Sequence, residues 1–145
     1  MNEKIVELLN KQLSNWNVLN TKLHNYHWYV TGQDFFTLHE KFEEYYTQAA
    51  TYIDEIAERI LMINGKPVAR LQDYLSTTTI KEASNEEDPK EMVRSIADDF
   101  EQLVKESKEL IKLAEDNGDQ PTADMFIGIR SNLDQQVWML RAYLG

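Results

Sequence analysis

The chain has 145 residues, which suits one domain with a real core. Apolar residues are 42%, charged residues 28% and cysteines absent, which excludes a disordered chain, a disulfide framework, a Cys-ligated metal site and thiol catalysis. With 25 Asp and Glu against 15 Lys and Arg the net charge is −10, and no basic patch that would bind a phosphate backbone is legible.

At the start, Met1-Asn2-Glu3-Lys4 shows no basic segment followed by an apolar run, so no signal peptide is expected and the expected location is the cytoplasm. Ile5, Leu8, Leu9, Leu13, Trp16, Leu19, Leu23 and Tyr26 recur at three- and four-residue steps and predict an amphipathic helix from about residue 3 to about residue 29. Thr31-Gly32-Gln33-Asp34 breaks it. Phe35, Leu38, Phe42, Tyr45, Ala49, Tyr52, Ile56, Ile60 and Ile63 predict a second long helix, with Thr37 and Glu40 at capping-box spacing near its start. Asn64-Gly65 and Pro67 end it. Asp88-Pro89-Lys90-Glu91 starts a third helix, with an N-cap, a Pro at the first position and a Glu three residues on. Met92, Ile96, Phe100, Leu103, Leu110 and Ala114 carry it to Asn117-Gly118. Pro121 lies in the first turn of a fourth, with Met125, Ile129, Leu133, Val137, Leu140 and Leu144 inward.

The expected fold is all-α, a single domain over residues 1–145. The link from about Gly65 to Glu87 stands out, with a short helix predicted at Arg70–Leu75. Such a long link needs a reason, and crossing the full length of a bundle is one. A long crossover between the second and third helices is the ferritin-like four-helix topology. No apolar stretch approaches the ~20 residues of a membrane span.

The second helix carries a further pattern. His39 and Glu43 are four apart, as are Asp54 and Glu58, and both pairs lie on nearly one side. That side also holds Phe36, Tyr46, Ala50, Ile53, Ala57 and Leu61, so the helix has a second, half-apolar face beside its core stripe and expects two partners. His39 and Asp54 are ~22 Å apart along a straight helix, too far to share one ion within one chain. Two copies packed antiparallel, with a two-fold axis near residues 46–48, would bring His39 of one chain to Asp54 and Glu58 of the other, twice per dimer. His27 could add a second imidazole, and such a set suits iron, manganese or zinc. The competing reading is a solvated charge stripe, or a helical oligomerisation module without enzymatic activity. No Glu-x-x-His is present, so the usual di-iron centre inside one bundle is absent. No His-Glu-x-x-His, P-loop or Gly-x-Gly-x-x-Gly is present either.

Asn25-Tyr26-His27-Trp28-Tyr29-Val30, then Phe36-x-x-His39-Glu40-Lys41-Phe42, then Asp54-Glu55-x-Ala57-Glu58-Arg59, together with Trp138-Met139-Leu140, resemble the signature of the Dps family, the mini-ferritins. The resemblance covers essentially the whole chain. It implies a hollow dodecamer and an inter-subunit ferroxidase centre that oxidises Fe(II), preferably with hydrogen peroxide, and stores Fe(III). It carries ligand roles to His27, His39 and Glu43 of one subunit and to Asp54 and Glu58 of its partner. The family often has Asp where this chain has Glu43. Members of the family also share an acidic pore, which the resemblance places at Glu115, Asp119 and Asp124; ordinary complementarity to a helix N-terminus is the alternative. Trp28 beside His27 has two readings, interception of stray oxidising equivalents or interface packing. DNA-binding members resemble this chain but add a Lys/Arg-rich tail, so weak or no DNA binding is expected here, against the alternative of a nucleoid protein.

Overall fold

The computed structural model describes residues 2–145, with side chains from residue 3; Met1 and the Asn2 side chain, part of the N-terminal reading, lie outside the described residues. Five helices follow in order: α1 (Asn2–Tyr29), α2 (Phe35–Met62), α3 (Leu71–Thr77), α4 (Pro89–Asp116) and α5 (Gln120–Leu144). The short links 30–34 and 117–119 fold α1 on α2 and α4 on α5 as two antiparallel hairpins, and α1 joins them by packing on α4. The long link between α2 and α4 is the expected crossover, and α3 is its short helix, packed against α1. The architecture is the ferritin-like one.

The core is filled from every long helix, with Trp16, Tyr26, Phe42, Phe100 and Phe126 among the largest side chains sealed from solvent. Seven of the α2 stripe residues are buried, from Leu38 to Ile60, while Phe35 and Ile63 at its two ends are half-buried. The helix ends follow from local chemistry. Asp88 and Glu91 form a reciprocal capping box at 2.8 and 3.0 Å. Asn64 takes the left-handed conformation after α2 (φ 66°), and the Gly65 N–H reaches back to Ile60 at 2.8 Å. Glycine is required at 65 for space, because a Cβ there would stand 2.6 Å from Val6.

One expected cap is different. Thr37 and Glu40 do not start α2; the helix begins at Phe35 with Asp34 in the N-cap position, and Asp34 makes no side-chain cap bond. An i,i+3 Thr–Glu pair occurs inside helices as readily as at their start, so spacing alone did not locate the first turn.

The crossover is pinned to the bundle by polar side chains. Asn15 bonds Thr78 and Thr79. Glu106, buried and without a cationic partner among the described residues, accepts from Gln12, Asn15, Gln102 and Thr79. Tyr26 donates to Glu87 at 2.6 Å. These bonds satisfy polar groups that burial would otherwise strand.

Candidate metal centre

The α1–α2 hairpin brings His27, in the last turn of α1, against His39, in the second turn of α2. Their rings stack with centroids 3.7 Å apart and planes 13° apart. Each Nδ1 reaches the other residue's backbone carbonyl: His27 to His39 O at 2.6 Å and His39 to His27 O at 2.7 Å. A carbonyl oxygen only accepts, so each Nδ1 carries the proton and donates it. In the neutral imidazole each Nε2 then keeps its lone pair, the state a metal ligand needs. The same two bonds fix both ring orientations before any ion arrives.

Three neighbours hold this pair. The Phe35 ring lies over His39, centroids 4.8 Å apart and 22° from parallel. Tyr46 meets His27 edge-on at 5.2 Å. Tyr46 is itself covered by His24, stacked at 3.7 Å, whose Nδ1 donates to Asn20 O at 2.7 Å. His24 therefore packs behind His27 through Tyr46. His27 is almost sealed, while the Glu43 side chain is 56% exposed and places Oε1 3.8 Å from His27 Nε2. Glu43 is thus on hand at the open side of the pair.

The carboxylate pair is elsewhere. Asp54 and Glu58 project from the exposed side of α2, four and five turns beyond His39, and neither enters an ion pair with the described residues. Arg59, beside Glu58, turns instead to Asp119 at 2.8 Å. No group of three or more His, Asp or Glu able to hold a metal ion occurs among the described residues. One chain brings together His27, His39 and Glu43, and it presents Asp54 and Glu58 outward on the same helix. The same outer face carries Phe36, 83% exposed, and Leu61, 59% exposed.

A profile of the ferritin-like domain matches residues 6–145. The chain is 51% identical over 145 residues to general stress protein 20U of Bacillus subtilis, covering 100% of both. It is 52% identical over 144 residues to DNA protection during starvation protein 2 of Bacillus anthracis, covering 99% of each. Among solved structures, a Dps protein from Bacillus brevis superposes with a TM-score of 0.98 at 49% identity, over 99% of this chain and 96% of that one. The chain belongs to the Dps family. Its place among these ferritin-like proteins makes iron the ion against which the histidine pair is best judged.

The acids proposed for the Dps pore differ in condition. Asp119 caps α5, accepting from the Thr122 N–H at 3.2 Å and hydroxyl at 2.6 Å, and it pairs with Arg59. Burial works against its charge, yet Thr122 and Arg59 together hold its carboxyl below the usual range. Asp124 is exposed and accepts from Gln120 at 2.7 Å. Glu115 is exposed in the last turn of α4. Trp28 is 68% exposed and its ring lies 5.4 Å from His24.

Sequence reading missed the reciprocal Nδ1 bonds, the Phe35 stack and the supporting role of His24. The 12-residue spacing of His27 and His39 across a short turn was the available signal. It places the two residues on facing helices, but side-chain rotamers decide the ring contacts.

Proposed function

We propose that this Dps chain is an iron-detoxifying and iron-storing ferroxidase that oxidises Fe(II) with hydrogen peroxide at a centre shared between two subunits. The observation that carries the reading is the stacked His27–His39 pair, with both Nδ1 atoms spent on backbone carbonyls and both Nε2 atoms free. In the shared centre these nitrogens and Glu43 come from one subunit, and Asp54 and Glu58 come from its partner. The separation of ~22 Å between His39 and Asp54 along one helix favours this division.

Imidazole and carboxylate ligands hold Fe(II) while leaving coordination positions for peroxide, and the carboxylates offset charge as iron becomes ferric. Two Fe(II) give one electron each to one peroxide. The O–O bond breaks, two protons are taken up and two waters form, so no hydroxyl radical is released. Zinc or manganese could occupy the same ligands. The cage is proposed as a dodecamer, assembled in part through the outer face of α2, and it stores the Fe(III). Glu115 and Asp124, both exposed, would draw cations towards an entry pore; Asp119 would join them only alongside its cap and its Arg59 pair. The reading places the protein in the cytoplasm, the reducing compartment where Fe(II) persists. No helix among the described residues is long and apolar enough to cross a membrane.

DNA binding is proposed to be weak or absent. The net charge is −10, and residues 81–119 hold 13 acidic against 6 basic side chains, which repels a phosphate backbone. Protection of DNA from iron and peroxide follows from iron removal alone. The deciding experiment follows Fe(II) oxidation by peroxide in the wild type and in His39→Ala. Fast oxidation in the wild type and a loss of two orders of magnitude or more in the variant is expected; equal rates overturn the reading and leave an oligomerisation module.

A further inference from the structure

Of the seven tyrosines, two donate their phenolic proton to a carboxylate. Tyr26 donates to Glu87 and Tyr143 to Asp34. Tyr45 donates to the neutral amide of Gln136, and the Tyr52 oxygen accepts from Asn132. A phenol hydrogen-bonded to a carboxylate can lose an electron and a proton together, because the base that takes the proton is already in place. A phenol without such a base would become a far less stable radical cation.

Tyr143 has the further connections. Its hydroxyl lies 2.5 Å from Asp34 Oδ2. Asp34 occupies the N-cap position of α2 but caps nothing with its side chain. The next residue, Phe35, stacks on the His39 ring at 4.8 Å. Five residues of helix separate Asp34 from His39, a rise of about 7.5 Å. A continuous path of one short hydrogen bond, one peptide unit and one aromatic stack therefore joins the Tyr143 phenol to a proposed iron ligand. Tyr143 is half-buried, so reductants can reach it, whereas Tyr26 is sealed in the core.

We propose that Tyr143 supplies the second electron to peroxide at a centre holding a single Fe(II), with Asp34 accepting its proton. This rests on the ferroxidase reading above. Peroxide needs two electrons to reach water, and one Fe(II) supplies one. The Tyr143 O–H bond breaks, its electron passes to the centre and its proton to the Asp34 carboxylate. The peroxide O–O bond breaks, and with two solvent protons two waters form. The products are Fe(III), a neutral Tyr143 phenoxyl and a protonated Asp34. A second Fe(II) later returns the electron, and Asp34 returns the proton. The net reaction is the same oxidation of two Fe(II) by one peroxide, reached without both irons being present at once. The exposed Glu43 beside His27 makes such single occupancy relevant, because Glu43 is the ligand proposed for the second iron position and it stands 3.8 Å from His27 Nε2.

The test mixes the assembled protein with Fe(II) well below one per chain and excess peroxide, then freezes it rapidly for electron paramagnetic resonance. A radical signal that narrows when tyrosine is ring-deuterated is expected. Per iron oxidised, it should fall to background in Tyr143→Phe and persist in Tyr26→Phe. Asp34→Asn keeps a hydrogen-bond acceptor but is a far poorer proton acceptor, so the signal should fall several-fold there while the assembly keeps its size. Trapped hydroxyl radical should rise in both Tyr143→Phe and Asp34→Asn. Normal iron oxidation with no tyrosine signal, or a signal unchanged in Tyr143→Phe, overturns the relay and leaves the ferroxidase reading intact. Wild-type oxidation no faster than in His39→Ala overturns both.

Discussion

The two ends of the α2 face that carries the proposed ligands are in opposite conditions. Near its N-terminus His39 is stacked, oriented and hydrogen-bonded against His27. Towards its C-terminus Asp54 and Glu58 stand exposed and without ion partners among the described residues. An imidazole must have one nitrogen protonated and the other free to bind a metal, so its ring needs outside help to be set. A carboxylate carries ligand oxygens on both sides and needs less. In the proposed centre, one chain prepares the demanding half and offers the tolerant half to a second copy. The contrast fits the proposal that side chains ~22 Å apart on one helix serve a single reaction across two subunits.

The sharpest way to break that contrast is subunit complementation, which also carries the largest expected effect. One variant carries His27→Ala and His39→Ala; the other carries Asp54→Ala and Glu58→Ala. Each alone should lose peroxide-driven Fe(II) oxidation by two orders of magnitude or more. Unfolded together and reassembled, about half the dimers are mixed and each has one intact site of two, so roughly a quarter of the activity should return. Normal assembly with no recovery would place the centre within one chain.

How much of this was legible before the structure depends on what kind of information each feature needs. The buried stripe of α2, the Asp88–Glu91 cap and the long crossover follow from spacing, because helical period and local bonding act over a few residues. The false cap at Thr37 shows the limit: the same spacing recurs wherever a helix continues. His27, His39 and Glu43 were named from the sequence, and the fold does bring them together. The reciprocal carbonyl bonds were not legible, since they depend on two rotamers across a turn. The resemblance places Asp119 among pore acids; its tie to Arg59, 60 residues away, is a tertiary fact that no local pattern contains.

That tie separates the acids by role and sharpens the comparison of held against free carboxylates. Asp119→Asn keeps an N-cap but loses a largely buried ion pair, and it should cost about 1–3 kcal/mol of stability. Glu115→Gln with Asp124→Asn touches only exposed carboxylates and should change stability by less than about 0.5 kcal/mol. If those acids gather cations, the double variant should nevertheless slow iron uptake, most visibly at low salt. Denaturant melts and uptake rates measured on the same samples distinguish the two effects. Equal stability losses in both variants would mean that Asp119 is not held as described.

The smallest effect concerns the carboxylate that anchors the crossover to α1. Burial works against the charge of Glu87, but hydrogen bonds from the Tyr26 hydroxyl and from Ser84 bring its carboxyl down from 4.5 to about 2. A carboxyl lowered on folding adds stability that is complete above its unfolded value and is lost as pH falls through its folded value. Tyr26→Phe removes the leading favourable bond. It should cost about 1 kcal/mol near neutral pH, at the low end for a bond to a charged group because Glu87 is partly solvated. The gap between wild type and variant should stay constant down to about pH 5, shrink between about pH 4.5 and pH 2, and nearly close below that. Melting curves across this range measure it directly. A gap that persists undiminished at pH 2 would mean that Tyr26 stabilises the crossover through packing, with its bond to ionised Glu87 contributing nothing.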